Sequence, residues 1–575
     1  MSKRKRVLVI GEDSRSFLSS IRSLAKNEYE VHAISLNAQS IALRSQYLHA
    51  FKCVSQLANT ESAWSHAITQ YVTEHAIELI FPCDERAIFP LLELRKSHQD
   101  FPPCAIVNED AFYVFLDKWK TKSVAMECDV PVADAHHVDN SSQIDLEAIE
   151  LPVVFKPLQS YREDDIHNRG KVAIVRNTEQ LKTLLDGQHQ PFILEQYFEG
   201  TGEGLSVFAI EGVVKTAFAH QRLWESADGG GSSYRKSVEV DPAQLEAVKK
   251  LCAKTHMTGL AMFEFKRNLN NGKWILIEVN ARVWGSIPLA VQSGIDFPSY
   301  FANYLTEPQS VHSDLYPKDY RVDQYARNLT SDFNMVRSQF QGIRRRKGIL
   351  KAFKFLAVRT FEARRMLVGK ERIDSFELKD TKPFFAELMG IVKLISSFIN
   401  RKVPQLRLFY RPFVRATLRK KLGNGYYNSI YFLCYGNIVR SSFAEFDLKK
   451  KLTEDTTLSI HSVGIHDPTG RQSPDMFIEA AKQFDVDLAP HRSKHIRDFQ
   501  LTDRDLVLFF DEKNQLFFEQ NLAPAEGVNM TDLVGPLWFG RANIDDPYGK
   551  TTQDANDSYS MINAAVERLY NDISR

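Results

Sequence analysis

A chain of 575 residues exceeds what one hydrophobic core supports, so several domains of roughly 100–200 residues are expected. Hydrophobic residues make up 43% and charged residues 25%, which excludes collagenous, low-complexity and wholly disordered chains. The net charge of +1 says little about partners, but its distribution is uneven: between Arg337 and Lys421, 23 Lys/Arg stand against 6 Asp/Glu, so a basic segment separates two net acidic bodies.

At the N-terminus, Lys3-Arg4-Lys5-Arg6 is followed by only Val7-Leu8-Val9-Ile10, too short for a secretory core and read as a first buried strand. Apolar runs at Val7–Ile10, Val31–Ile34, Leu79–Phe81 and Ala105–Val107 alternate with helical patterns at Ser16–Leu24 and Ser62–Tyr71, the grammar of a small parallel sheet. From Leu151 to Ala281 strands dominate: Val153–Phe155, Phe192–Leu194, Leu205–Ile210, Leu260–Phe265 and Trp274–Val279, with a Gly/Ser-rich loop at Asp228–Ser233. Residues 319–424 read as a basic, partly amphipathic helical connector. A third α/β unit opens at Ile430-Tyr431-Phe432-Leu433. The most apolar later stretch, Phe385–Ile399, carries Glu387 and Lys393 and falls short of a membrane span. Six cysteines show no CxxC or CxxH spacing, which argues against a disulfide framework or structural zinc and fits a reducing cytoplasm.

Two constellations carry chemistry. Asn268-Leu269-Asn270-Asn271-Gly272 is a strong hairpin turn, and centring it on Asn271 sets Glu264 opposite Glu278. Like charges face to face destabilise a hairpin unless a cation lies between them. Alternation puts Asn280 and Arg282 on the face of Glu278, a hard-oxygen donor set for magnesium with an arginine fork for phosphate. In the second constellation, Cys434 ends an apolar strand, and a loop leads to a helix near Arg440. Backbone N–H groups there attract phosphate and favour a thiolate, and Arg440 can close over the same anion.

The first region resembles the ATP-grasp superfamily in its carboxylate–amine ligase branch, related to carbamoyl-phosphate synthetase and biotin carboxylase. Asp117-Lys118 with Ala125 and Val130-Pro131-Val132, then Leu151–Pro157, Ile193–Tyr197, Met262–Phe265 and Leu276–Arg282, match its motifs in order. The resemblance implies ATP and Mg2+ as cofactors, an acyl phosphate intermediate, and an unidentified carboxylate and amine as substrates. It assigns Lys118 and Lys156 to the phosphates, Glu195, Gln196 and Tyr197 to an adenine-reading hinge, and Glu203 to the ribose. Glu264, Glu278 and Asn280 would hold the metal, and Arg282 would steady the transferring phosphoryl group. Gln221–Tyr234, with Arg222, Gly229, Gly230, Gly231, Ser232 and Ser233, is a candidate acceptor-binding loop. The phosphate-covering loop departs from the family's short glycine-rich form: Gln159–Lys171 is long and polar, with Asp164, Asp165 and His167.

The second region resembles the low-molecular-weight protein tyrosine phosphatases, on Cys434-x5-Arg440, Ser462-Val463-Gly464, His491-Arg492-Ser493 and Asp546-Pro547-Tyr548-Gly549. The resemblance implies a Cys434 nucleophile, Arg440 on the phosphate, Asn437 and Ser441 as loop stabilisers and Asp546 as general acid, with no metal. Its substrate would be a phosphotyrosine protein or a small phosphomonoester. Val439 and Ser442 replace the family's second loop cysteine and proline. Arsenate reductases share the fold but need further cysteines, and none follows Cys434.

The expected architecture is therefore multidomain α/β. A pre-ATP-grasp Rossmann-like domain (1–112) precedes an ATP-grasp α+β domain (113–318), a basic helical linker (319–424) and an α/β phosphatase domain with a parallel sheet (425–575). The expected function is a bifunctional ligase and phosphatase. The alternative is an ATP-binding regulatory or membrane-peripheral scaffold with a phosphate-sensing C-terminal domain. Residues 337–421 suit peripheral membrane contact better than nucleic acid, since no nucleic-acid-binding module accompanies them.

Overall fold

The computed structural model describes the chain except residues 1–3, 36, 55–60, 99, 141–143, 147–148, 163–169, 171, 187, 189, 226–230, 308–315, 403–406, 454–455, 457, 467, 523–524, 534–542 and 575. Asp164, Asp165, His167 and Lys171 of the expected lid, and Gly229 and Gly230 of the acceptor loop, lie outside the described residues. Two compact units emerge, the first holding most of the chain up to Ile391 and the second taking over from Val392.

The first unit opens with a four-stranded parallel sheet in the order Leu48–Cys53, Glu30–Ser35, Arg6–Ile10, Leu79–Pro82. Continuous apolar strands suit a sheet covered on both faces, and Val7 to Ile10 are fully buried. The helices Ser16–Lys26 and Glu61–His75 cover the expected helical patterns. The run Ala105–Val107 is not a strand: only the preceding Cys104 bridges to Ile80, and the three apolar residues are buried as coil.

Next come two sheets. A small antiparallel one runs Ala135–Val138, Phe192–Gln196, Val153–Pro157, Ala173–Val175 around its own apolar cluster. A seven-stranded one runs Trp274–Asn280, Gly259–Arg267, Thr201–Ile210, Val213–Trp224, Tyr234–Val238, Tyr325–Arg327, Glu371–Ile373. Its alternate residues feed two clusters: Leu205, Val207, Phe263 and Phe265 pack on one face, and Ser206's neighbours Phe208, Leu260 and Met262 on the other.

The last two of those strands overturn the reading of 319–424 as a linker. Arg327 is locked between Glu371 (2.7 Å) and Asp332 (2.6 Å), and Arg22 reaches from the first helix to Asp380 at 2.9 Å. This basic stretch is therefore built into the first unit, while the helix Arg407–Gly423 buries Leu418 and Leu422 in the core of the second. Charge composition suggested solvated helices, whereas Arg327 and Arg359 are buried and paired.

The second unit centres on a parallel sheet in the order Ser459–Gly464, Ser429–Cys434, Asp505–Phe509, Glu526–Asn529. The helices Arg440–Lys451 and Thr552–Ile573 pack on it through Phe443, Tyr559 and Ile562, with Phe443 and Tyr559 stacked at 4.0 Å. Among the described residues, no helix is long and apolar enough to cross a membrane.

Candidate active sites

In the first unit, Glu264 and Glu278 are direct cross-strand partners, as the turn predicts. The register slips by one residue between Glu264 and Phe265, so the bulge falls just below the carboxylate pair. Asn280 donates from Nδ2 to Glu264 Oε1 at 3.0 Å, and Arg222 Nη2 sits 2.5 Å from Glu264 Oε2. Arg222, on the strand beyond Gly204, thus supplies a cation that the hairpin argument required without naming. Burial pushes Glu278 up but is outweighed by Lys118, Lys156, Arg222 and Arg282, which hold it below the usual carboxylate range. Burial, with Glu278 nearby, raises Glu264 against the pull of Arg222.

A cavity beside this pair is lined by Lys118, Ser160, Glu278, Asn280, Arg282 and Glu85. Asp117 caps the helix Lys118–Glu127 by accepting from Trp119 and Lys120 N–H, which fixes where Lys118 leaves the backbone. Lys118 Nζ donates to Ser160 Oγ at 3.4 Å, and Arg282 Nε pairs with Glu85 Oε1 at 2.9 Å. Three oxygen donors on one face, two of them opposed carboxylates, fit magnesium.

The hinge residues behave differently. Glu195 is buried between Lys156 (2.6 Å) and Lys122 (3.0 Å), the second of which the sequence reading missed. Its helical position gives no sign of a partner 73 residues on. Gln196 is exposed, its N–H donating to Asp134 O, and Tyr197 has Lys266 5.2 Å from its ring centroid. Glu203 pairs with Arg267 at 2.9 Å, accepts from Gln244, and sits opposite Phe265. Alternation therefore sends its side chain to the sheet face away from Glu264, because 203 and 264 differ in parity across that register.

The glycines explain the crowding on the Glu264 face. A Cβ on Gly204 would lie 2.2 Å from His220 Cε1, and one on Gly202 would lie 2.8 Å from Arg222 Cδ. Bare backbone at both positions lets His220 and Arg222 lie across the strand toward the carboxylates. Of the acceptor loop, Ser232 and Ser233 are buried, and Arg15 fills the space beside Gly231 and Gly285.

In the second unit, the loop after Ser429–Cys434 wraps around the cysteine sulfur. Cys434 Sγ lies 3.0 Å from Ser441 Oγ and accepts the Asn437 N–H at 3.2 Å. Asn437 is buried, left-handed at φ 50°, and donates from Nδ2 to both Ser441 Oγ and Ser462 Oγ at 2.9 Å. Its Oδ1 accepts the Lys494 N–H at 2.7 Å, and its carbonyl accepts from His491 Nε2 at 2.6 Å. Burial drives His491 below its ordinary value, which keeps a neutral donor against that carbonyl. The segments Ser462–Gly464 and His491–Ser493 thus act by bracing the loop.

Arg440 opens the following helix and is 1% exposed. Its Nη1 donates to Asp511 (2.6 Å) and Ile544 O (2.9 Å), its Nη2 to Asp546 (2.7 Å), and its buried Nε has no partner among the described residues. Burial works against the guanidinium, but Cys434, Asp546 and Asp511 more than compensate and hold it charged. Cys434, Arg440, Asp546, Tyr435, His466 and Tyr548 line one pocket. Asp546 and Tyr548 stand at its exposed rim, and Tyr435 stacks on His466 at 5.0 Å. Asp511, Tyr435 and His466 are additions to the sequence-predicted set; of these, Tyr435 directly follows the apolar strand that the sequence marks as ending at Cys434.

Comparison with known proteins separates the two units. The family model "Low molecular weight phosphotyrosine protein phosphatase" matches residues 429–575, and "ATP-grasp in the biosynthetic pathway with Ter operon" matches residues 188–327. The low molecular weight protein-tyrosine-phosphatase Ptp of Acinetobacter johnsonii is 33% identical over 122 residues, 21% of this chain and 81% of that protein. Etp of Escherichia coli strain K12 is 26% identical over 149 residues, 26% of this chain and 97% of that protein. Among solved structures, an L-amino acid ligase from Bacillus licheniformis has a TM-score of 0.45 at 15% identity, covering 56% of this chain and 79% of that one. A biotin carboxylase from Campylobacter jejuni has a TM-score of 0.44 at 15% identity, covering 56% and 74%. Through residues 429–575 the chain belongs to the low molecular weight protein-tyrosine-phosphatase family, and it carries an ATP-grasp ligase-like region ahead of that domain.

Proposed function

We propose that the chain is a bifunctional enzyme of the cytoplasm. Its C-terminal unit hydrolyses a phosphotyrosine protein or a small aryl phosphomonoester. Cys434 attacks phosphorus as the P–O bond to the leaving group breaks, and Asp546 protonates the departing oxygen. Asp546 then takes a proton from water as that water displaces the cysteine and frees phosphate. Arg440 and the loop N–H groups hold the phosphate oxygens, Ser441 steadies the sulfur, and Asn437 positions the loop. This half uses no metal.

The N-terminal unit joins a carboxylate to an amine, converting ATP to ADP and phosphate through an acyl phosphate. Glu264, Glu278 and Asn280 would hold magnesium, which when bound offsets charge on the triphosphate. Lys118 and Lys156 neutralise phosphate oxygens, Arg282 steadies the transferred group, and Glu195, Gln196 and Tyr197 form the adenine-side hinge. The substrates' carboxylate and amine stay unnamed. Six free cysteines support a reducing compartment.

The observation that carries the reading is the convergence of Cys434, Arg440 and Asp546 on one pocket. Hydrolysis of p-nitrophenyl phosphate in EDTA tests it. Wild type should turn over, Cys434→Ser should not, and Asp546→Asn should lose about 10²-fold or more in kcat. ADP release with magnesium, carboxylates and amines should require Glu278 and survive Cys434→Ser. Wild type inert toward the aryl phosphate would leave a phosphate-sensing unit instead.

A further inference from the structure

Of the 26 large hydrophobic side chains exposed among the described residues, 17 lie between Ile349 and Phe413. A folded monomer does not ordinarily concentrate apolar surface in this way unless something covers it. The helix Ile349–Glu362 shows the pattern most clearly. It is fastened to its own unit mainly by one face: Ala352 is buried, Arg359 pairs with Asp332 at 2.6 Å, and Phe355 meets the Trp224 ring at 5.7 Å, while Phe353, 56% exposed, meets the Phe340 ring of the preceding helix edge-on at 5.7 Å.

At 100° per residue, Leu356, Ile349, Phe353, Leu350 and Phe361 fall within about 140° of one another, turned away from Ala352 and Arg359. All five are exposed, Leu350 to 83%. The stripe carries no acidic residue. Lys354 and Lys351 flank it, and Arg344-Arg345-Arg346-Lys347 closes the preceding helix. Gly348, at φ 86°, joins the two helices, a conformation that favours glycine. At the other end Arg364 stacks on the Phe361 ring at 3.7 Å, followed by Leu367, 89% exposed, and Val368. None of Arg344, Arg345, Arg346, Lys347, Lys351 or Lys354 forms an ion pair among the described residues.

We propose that residues 344–368 lie on a membrane surface rich in anionic phospholipid, with the stripe in the headgroup–acyl boundary and the basic residues at the phosphates. Charge complementarity selects this occupant: unpaired cations bordering an apolar stripe suit a surface that is negative outside and apolar just beneath. Lysine and arginine stems can lie along that boundary while their charges stay in the headgroup layer. At 14 residues the helix rests in the plane of the interface and does not span it. The helix Lys382–Lys402 is built alike, with Glu387 and Ile391 buried and Phe385, Leu388 and Met389 exposed. This proposal rests on neither proposed activity.

Co-sedimentation of the full chain with phosphatidylcholine vesicles, with and without phosphatidylserine, tests it. Wild type should partition at least tenfold more strongly onto the serine-containing vesicles, and added salt should weaken that binding. Leu350→Ser with Leu367→Ser, 83% and 89% exposed, should abolish binding while thermal unfolding and aryl phosphate hydrolysis stay unchanged. Arg345→Gln with Lys351→Gln should remove the preference for anionic lipid. Wild type remaining in the supernatant, or unaltered partition of the double serine variant, overturns the proposal. So does concentration-dependent self-association lost in the double serine variant without vesicle binding, which would make the stripe an interface between copies of the chain.

Discussion

His220 shows how a buried residue couples a unit to pH. It sits over Gly204 on the Glu264 face, almost fully buried, with Arg222 and Arg235 nearby and its Nδ1 unpartnered among the described residues. Burial, reinforced by the two guanidiniums, drops it well below 6.5, so the folded state keeps it neutral. The unfolded chain takes up a proton as pH falls through about 6.5, and the folded chain does not. The stability linked to His220 is therefore present above that pH and declines below it, by at most about 1.4 kcal/mol per pH unit. Urea midpoints from pH 8 to 5 should fall in wild type and fall less steeply in His220→Gln. Tryptophan fluorescence suits the measurement, because five of the six tryptophans precede residue 285. His32, also lowered by burial, contributes to both proteins alike, so the difference in slope isolates His220. Parallel slopes would refute the assignment.

At the scale of the element, the strand–loop–helix around Cys434 depends on its neighbour strand. Cys434 pairs with Gly464, and a Cβ on Gly464 would lie 2.9 Å from Asn437 Cβ and 3.1 Å from its N. Since Asn437 holds Ser441, Ser462, Lys494 and His491 together, Gly464→Ala should displace the loop as a body. A shift near 1 Å should lower kcat/KM for an aryl phosphate by about 10²-fold. Steady-state kinetics check this, and a full-rate Gly464→Ala enzyme would show that the loop has slack. Much of this element was legible beforehand, because an apolar strand, a cysteine and an arginine at fixed spacing are local in sequence. The Glu264–Glu278 register was legible for the same reason, through one turn. Pairings across long separations were not: nothing local ties Arg222 to Glu264 or Lys122 to Glu195. The strand Leu48–Cys53 was missed because half its residues face solvent and its composition is mixed. Ala105–Val107 misled because burial alone makes an apolar run, whether or not it joins a sheet.

At the scale of the molecule, the boundary between units is the point where sequence reading was weakest. A basic stretch looks solvated, yet its Arg327 and Arg359 are buried against carboxylates, its Asp380 holds Arg22 of the first helix, and the helix Arg407–Gly423 belongs to the phosphatase core. Leu418 and Leu422 are buried there, Val414 packs beside them, and Arg415 Nε donates to Asp532 O at 2.6 Å. A phosphatase fragment beginning at 425 should therefore fold, since its curated relatives are whole proteins of this length, but fold weakly. Losing two buried leucines costs about 3 kcal/mol, at about 1.5 kcal/mol each from the lower end of their burial value. For a fragment of this size that corresponds to a Tm about 6–12 °C below that of a fragment beginning at 392. Calorimetry of the two fragments measures the difference directly, with aryl phosphate hydrolysis confirming that each is native. Equal Tm values would mean that the helix merely rests on the domain, and the boundary would move back to 425.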